Sequence, residues 1–597
     1  MNKRLKQAGA RASCLVTVIV FLALTGRSEA AGPQTWTATT APARMSTVWL
    51  LTDGRVMAQQ YCTNHWWALT PDSSGNYATG TWSALADTPS TFAPLYYASA
   101  VLADGRLIAM GGEYHAPNCS FGFSTLSYIY DPTTNVWTPL TPPPGWHGGD
   151  ANSVVLPTGE FLVADPLNAA IYSLNPATLV WTQLGTTGKA DRNDEEGWTL
   201  LPSGKFLTVD AFIRKASEIY DVSTHTWSSA GSTVVNLSDS QSAEVGPMVL
   251  MYNGKVFATS GGLHLTATML ENGHTANYNV ATGTWTAGPD FPNPYDISDG
   301  PATLLPNGSV LLVASPDTFQ IPSHFFEYDG STLNAVPGTL HASSNTSFQY
   351  RFLLLPNGQV LATDGSTDVE FYTPVSGDVD AARPIITQAP TFLKPGNSYP
   401  LSGLQLNGLS QANAYGDDVQ NSTNYPVLEI SNDATSHVSF ARTHDHSTMG
   451  VVPDAPGSTT FDVPLSTENG PCHLTIVANG IPSAGWPATV CGPSVVSTPS
   501  ASPDSLWPPN HKFVDVTIQY DTSSSTCETN CTLSVTSNEG DSDSESILVD
   551  AHHLQLAAER DGDGTGRVYT ITITCTNPVG DVTVKTVTVT VPHDQGE

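Results

Sequence analysis

Seven times along the chain a short apolar run ends in a turn of the type (Asp/Asn/Ser/Thr)-Gly and then resumes as a second apolar run. The copies read STVWLLTDGRVMA, ASAVLADGRLIAMGG, NSVVLPTGEFLVAD, WTLLPSGKFLTVD, PMVLMYNGKVFATSGG, ATLLPNGSVLLVAS and FLLLPNGQVLATDG. Their turn glycines are Gly54, Gly105, Gly159, Gly204, Gly254, Gly308 and Gly358, spaced 51, 54, 45, 50, 54 and 50 residues apart. A polar residue followed by Gly between two apolar runs is a hairpin signal. One hairpin per fifty residues is the mark of an array of propeller blades.

Most hairpins are followed by a strand ending in Tyr and then a strand holding Trp. Tyr130 and Trp137, Tyr220 and Trp227, and Tyr278 and Trp285 are each seven apart, and Tyr172 and Trp181 are spaced more loosely. Four strands per repeat predict a seven-bladed propeller over residues 33–378. The sixth repeat lacks its Trp, and the seventh stops at DVEFYTP (Asp368–Pro374) without a fourth strand. QTWTATT (Gln34–Thr40) precedes the first repeat and can supply that strand, closing the ring so that no blade edge is left unpaired.

Residues 382–495 form a second unit, rich in Gly, Asn and alternating strands. A Ser/Pro linker then opens a third, 496–597, whose strands FVDVTIQY, TLSVTS, VYTITITCT and TVKTVTVTVP alternate as in a small β-sandwich. The acidic stretch Glu539–Glu545 reads as a solvated loop. DGDGTG (Asp561–Gly566) lacks the spacing and terminal Glu of an EF-hand loop and reads as a hairpin turn. Charged residues make up 13% of the chain, with 49 Gly and 44 Pro, which suits short strands joined by turns in an all-β protein.

Lys3, Arg4, Lys6 and Arg11 precede an apolar run from Cys14 to Leu24, then Ser28-Glu29-Ala30. This predicts a signal peptide over 1–30 and a secreted protein with no transmembrane anchor, expected as a monomer. The chain's net charge of −32 opposes binding to nucleic-acid phosphates and leaves cationic partners open. Export would leave seven cysteines in an oxidising compartment. The expected pairs are Cys62–Cys119, Cys472–Cys491 and Cys531–Cys575, with Cys527 the odd one out. No Cys or His spacing marks a zinc site.

The hairpins, the Tyr/Trp punctuation and the Gly-Gly pairs at Gly111-Gly112 and Gly261-Gly262 resemble Kelch repeats. With the second unit's NAYGDDVQNSTNYPVLEI and HVSFARTHDHSTMGV, residues 33–495 resemble the galactose oxidase and glyoxal oxidase family. The resemblance implies a Kelch-type propeller followed by immunoglobulin-like β-sandwich domains. The third unit's SPDSLWPPNHKFVDVTI resembles accessory sandwich domains of secreted bacterial proteins. The family's chemistry uses one copper, two tyrosines, two histidines and a tyrosine–cysteine cross-link. Counting back eight residues from each turn's polar residue carries these over one at a time. The cross-linked tyrosine falls on Tyr96 and its cysteine on Met45. The Tyr-His pair of the last blade falls on Phe348-Gln349, with Tyr350-Arg351 two residues on. The second histidine matches His444. Only Tyr96 and His444 remain as remnants of a copper site, so copper is not expected.

The same offset in every repeat selects Met45, Tyr96, Asp150, Glu195, Val245, Asp299 and Gln349, with Glu196 and Glu244 adjacent. These positions precede the innermost strands and should ring the channel mouth. HGGD (His147–Asp150) and RNDEEGW (Arg192–Trp198) look built to present carboxylates. His444 and His446 are expected to approach from the second unit. The expected ligand-binding set is therefore Tyr96, Asp150, Glu195, Asp299, Gln349 and His444. A carboxylate ring suits calcium or another divalent cation, or a polysaccharide or cell-surface ligand stacked on Trp146, Trp198 or Tyr96. The reading favours a binding protein over an enzyme. A hydrolase using the ring acids, an oxidase with rearranged ligands and a structural adhesion protein are the alternatives.

Overall fold

The computed structural model describes residues 34–594 apart from 151, 240–241, 261–263, 267–268, 271–272, 318, 417–420 and 541–543. The signal-peptide reading and the Gly261-Gly262 pair fall outside the described residues. Strands dominate, and the only described helices are the short turns Ser347–Gln349 and Asp380–Ala382.

Among the described residues each sequence repeat builds one antiparallel sheet, of four strands in every case but the sixth, which has five, and the seventh draws its fourth strand from Thr35–Thr40. The first runs Met45–Leu50, Val56–Gln60, Trp66–Thr70 and Thr81–Ala84, neighbour to neighbour. The first strand of each repeat is buried along its length, as in Ala98–Val101 or Val310–Ala314's partner Ala302–Leu304. The fourth strands, such as Val136–Pro139 and Val180–Gln183, are mostly exposed. The Tyr/Trp spacing has a physical cause. Tyr130 lies opposite Trp137, Tyr220 opposite Trp227, and Tyr278 opposite Trp285 in register. Their ring centroids are 5.1, 5.1 and 5.2 Å apart, the range of aromatic cross-strand pairs. In the third sheet Leu174 faces Trp181 instead, which accounts for the looser spacing there.

The sheets close into a ring. The strand Thr35–Thr40 pairs antiparallel with Asp368–Thr373, from Thr35 opposite Thr373 to Thr40 opposite Asp368. Inner strands pack against one another around the centre: Met45–Leu50 touches both Ala98–Val101 and Arg351–Leu354, and Val245–Leu250 touches Ala302–Leu304. Between the third and fourth sheets Asn152 Nδ2 donates to the Glu196 carbonyl.

The second unit is a run of strands around a core of Leu401, Leu428, Ile430, Phe461, Leu474 and Ile476. It lies against the hairpin-turn end of the inner strands. Thr443 N donates to Thr52 O (3.1 Å), His446 N to Ala103 O (3.0 Å) and Met449 N to Pro157 O (3.1 Å). At Gly54 (φ +78°) a Cβ would collide with the Phe440 ring, so this turn needs glycine for its backbone and for the packing. The C-terminal part packs a four-stranded and a three-stranded sheet on one core that includes Ile518, Leu556, Tyr569, Ile571 and Val589.

The described disulfides are Cys62–Cys119, Cys491–Cys527 and Cys531–Cys575. The expected Cys472–Cys491 pair does not form, and Cys527 is not the odd cysteine. Cys472 lies opposite Ala488 in register, so Cys491 sits three residues further along that strand, about 10 Å away. That exceeds the reach of a disulfide. Cys491 instead meets Cys527 at a Cα separation of 5.4 Å, and buried Cys472 stays a thiol.

Candidate functional site

The offset that ruled the sequence has a backbone counterpart. Tyr96, Asp150, Glu195 and Asp299 all adopt left-handed φ, at 51°, 29°, 62° and 48°. Such a conformation turns the chain sharply into the inner strand, and it strains any residue bearing a Cβ. In the first and fifth sheets the strand itself begins at this position, with buried Met45 and Val245, and the register shifts before Val48 and Met248. In the seventh, Gln349 ends a short helical turn and its Oε1 accepts from Thr346 N (2.9 Å).

The carboxylates converge. Glu195, Glu244 and Asp299 each bring a carboxylate oxygen within 4.8 Å of the others, and Asp150, Asp194 and Glu195 do the same. Glu195 belongs to both groups, so five acids from four consecutive blades form one continuous acidic arc at the mouth. Of the residues expected there, Asp150, Glu195 and Asp299 are brought together. Asp194 and Glu244 join them.

An unexpected segment reaches the same place from the second unit. Asn413–Ala414 adds a fifth strand to the sixth sheet, with Thr303 opposite Asn413 and Ala302 opposite Ala414. Leu200 N donates to Gln411 Oε1 (2.7 Å), Leu354 N to Asn413 Oδ1 (3.0 Å), and Asn421 Nδ2 to Phe352 O (2.6 Å). Inner strands of the fourth, sixth and seventh sheets therefore all bond described residues of this segment, which enters the channel. At its far end a Cβ on Gly416 would stand 2.8 Å from Asp299 Oδ1 and 2.9 Å from Val245 O. Next to it, Tyr415 donates its hydroxyl to Phe348 O (2.7 Å). The Arg351 guanidinium, 4% exposed, sits 4.0 Å from the Tyr415 ring centroid and 5.0 Å from that of Tyr96. Its Nη1 donates to Phe348 O and Tyr350 O, both at 2.7 Å. Arg351 thus ties Tyr96 to the channel segment by cation–π contacts.

A side hairpin, Tyr114–His115 with Ser120–Phe121, rises beside Tyr96 and is joined to the first blade by Cys62–Cys119. Tyr96, Tyr114 and Phe121 form an edge-to-face series at 6.0 and 5.7 Å, ending at Phe121, which is 70% exposed. Burial, then the carboxylates Glu113 and Asp150, raise the Tyr114 hydroxyl above its usual value, which keeps it a neutral donor.

The expected histidines and tryptophans are placed elsewhere. The strand carrying His444 ends at that residue and lies at the turn end, where Arg442 Nη2 donates to Asp104 O (2.8 Å). His444 is held there by Asp445 Oδ2 (2.8 Å) and Asp462 Oδ1 (3.2 Å). An inner strand of four to six residues separates it from the mouth. His446 lies past that strand's end, buried, with its Nδ1 3.0 Å from Thr459 Oγ1. Trp146 donates to Ala164 O (2.7 Å) and Trp198 stacks on Phe206 (4.4 Å), and both are core residues and no platform for a sugar. Gln349 is exposed at the seventh blade. Phe348 packs edge-on to Phe319 at 5.6 Å.

The sheet architecture and repeats define an all-β protein of Kelch-like build. No protein-family model matches the chain. It is similar to a Kelch-like protein, terF, of Aspergillus terreus, 27% identical over 278 residues, which cover 41% of this chain and 57% of that protein. Among solved structures it is similar to a fungal alcohol oxidase of the AA5 family in complex with copper. That likeness has a TM-score of 0.44 at 13% identity and covers 77% of this chain and all of the other. The extracellular domain of a putative hybrid two-component system from B. thetaiotaomicron gives a TM-score of 0.39 at 10% identity, covering 78% of this chain and 60% of that one. Among the described residues no helix is long and apolar enough to cross a membrane.

Proposed function

We propose that the chain is a secreted binding protein that takes a hydroxyl-rich ligand, a polysaccharide or cell-surface glycan, at the acidic mouth of its channel, and that it is not a copper-radical oxidase. The observation that carries this reading is the convergence of Glu195, Glu244 and Asp299, and of Asp150, Asp194 and Glu195, to within 4.8 Å. Carboxylates accept hydrogen bonds from sugar hydroxyls, and the neighbouring series Tyr96, Tyr114 and Phe121 offers faces for the apolar side of a sugar ring. An all-carboxylate set also suits calcium or another hard divalent cation bridging to hydroxyls. Three disulfides fit an oxidising compartment.

The positions that would serve copper argue against that chemistry here. Met45 is buried and cannot form the thioether cross-link, Phe348 and Gln349 supply neither phenolate nor imidazole, and His444 stands at the other end of the strands. Copper(II) favours several nitrogen and phenolate donors in tetragonal geometry, which this set does not offer.

The test is calorimetric titration of the purified protein with cell-wall and storage polysaccharides. Glu195→Gln and Asp299→Asn should each weaken binding at least tenfold. Absence of any glycan binding, or binding unmoved by both substitutions, would sink the reading. Stoichiometric copper with hydrogen peroxide release from sugars would overturn its second half. A hydrolase remains the second reading, because carboxyl groups about 5 Å apart are the spacing of retaining glycosidases. Release of reducing sugar, abolished by the same substitutions, would select it.

A further inference from the structure

The fourth sheet buries a second charged cluster that the mouth does not use. The Lys189 ammonium, 0% exposed, is paired with Asp191, with Glu196 Oε1 (2.8 Å) and with Glu218 Oε2 (2.9 Å). The ammonium donates hydrogen bonds to Asp191 and Glu196, whereas Glu218 Oε2 stands at ion-pair distance without one. Asp210, 1% exposed, is a fourth carboxylate; no N–H or hydroxyl among the described residues donates to either of its oxygens, and its one side-chain hydrogen bond is to the Glu218 carboxylate, which needs a proton on one of the two. It is aimed at the same point: Asp191, Asp210 and Glu218 each place a carboxylate oxygen within 4.8 Å of the other two.

Four buried carboxylates against one ammonium leave an excess of negative charge where water cannot screen it. We propose that Asp191, Asp210 and Glu218 hold a hard divalent cation, with calcium the best chemical match. The donors are all carboxylate oxygens, and calcium–oxygen distances of about 2.3–2.6 Å separate pairs of ligand oxygens by up to about 5 Å. Two of the three carboxylates are already oriented: Ala190 N donates to Glu218 Oε1 (3.0 Å), and Phe212 N approaches Asp191 Oδ2 at 3.3 Å. The ion joins three stretches of the fourth blade. Asp191 precedes the inner strand, Asp210 follows Phe206–Val209, and Glu218 lies in Ser217–Asp221. Asp194 and Glu195 follow Asp191 by three and four residues, so the ion braces the segment that carries two mouth acids. This site is separate from the glycan reading and stands or falls without it.

A proton is the competing occupant. Burial, then Glu218 and Asp191, push the Asp210 carboxyl up to about 8. Calcium titration of the EDTA-treated protein separates the two. The wild type should bind one calcium in a phase that survives the double substitution Glu195→Gln/Asp299→Asn and disappears in Asp210→Asn. At a hundredfold excess over Kd the melting temperature should rise by about 5 °C in the Glu195→Gln/Asp299→Asn variant and stay fixed when Asp210→Asn is added to it. A readout on the unmutated protein is terbium emission sensitised by Trp227, whose ring lies 5.2 Å from Lys189 Nζ, and its quenching by calcium. A calcium response retained when Asp210→Asn is combined with Glu195→Gln/Asp299→Asn, or no calcium-quenched terbium emission in the wild type, overturns the proposal, and the latter result assigns the position to the proton.

Discussion

The two ends of the inner strands obey different rules. At the turn end every repeat uses the same device, a glycine at φ between 77° and 88°, from Gly254 to Gly308. The second unit covers part of that end through Phe440, Arg442 and Thr443. At the mouth end the equivalent positions hold Met45, Tyr96, Asp150, Glu195, Val245, Asp299 and Gln349, and four of them are non-glycine residues in left-handed backbone. Each such residue costs roughly 1 kcal/mol or more. Regularity at one end builds the ring. Strain and like charge at the other are tolerated where a ligand is expected, and substitutions should therefore change stability with opposite sign at the two ends.

The largest effect is expected at the turn end. Gly54→Val places a β-branched side chain at φ +78° and drives it into Phe440, which should cost about 3 kcal/mol in denaturant unfolding. A loss under 1 kcal/mol would mean that the second unit does not lean on this turn. Next comes an acid limb from His446, which is buried beside Arg442, His444 and Asp445. Burial, then the His444 charge, lowers its pKa from 6.5 to about 3. Above pH 6.5 the imidazole is neutral whether folded or not. Between pH 6.5 and 3 the unfolded chain takes up a proton that the folded chain refuses, so stability falls by about 1.4 kcal/mol per pH unit. From pH 6.5 to 4.5 the wild type should lose about 2–3 kcal/mol more than His446→Gln. Equal slopes would show that this imidazole is not held neutral.

The regular end is also the part most legible in sequence. Seven polar-Gly turns gave the sheets, the Tyr/Trp spacing gave the outer strand pairs, and QTWTATT gave the closing strand. The mouth was half legible. Counting from the turns reaches Asp150, Glu195 and Asp299 because they lie at a fixed distance along the repeat. It cannot reach Tyr415, which comes from a segment outside the repeat that enters the channel through hydrogen bonds made by Gln411, Asn413 and Asn421. Nor could it place His444: a motif on a strand does not say which end of the channel the strand will cover. Cys491 escaped for a similar reason, since its partner Cys527 lies in the next unit.

At the mouth the expected sign reverses. Glu195→Gln with Asp299→Asn relieves repulsion among carboxylates within 4.8 Å of one another, and should raise stability by about 1 kcal/mol while binding is lost. Urea unfolding of this double variant beside Gly54→Val puts the contrast in one measurement. If the double variant is instead destabilised by more than 1 kcal/mol, the acids hold the fold together and the two ends do not differ as claimed.

The smallest effect tests whether the channel segment belongs to the scaffold or to the site. Tyr415→Phe keeps the ring under Arg351 and removes the 2.7 Å hydrogen bond to Phe348 O. The expected cost is about 1 kcal/mol, the net worth of one partly buried hydrogen bond. Tyr415→Leu also removes the cation–π contact and frees Arg351 to swing toward the carboxylates, so glycan affinity should fall for Tyr415→Leu and hold for Tyr415→Phe. The comparison turns on that split. Equal affinity for both variants would make the segment a plug that completes the ring, leaving ligand recognition to residues of the blades alone.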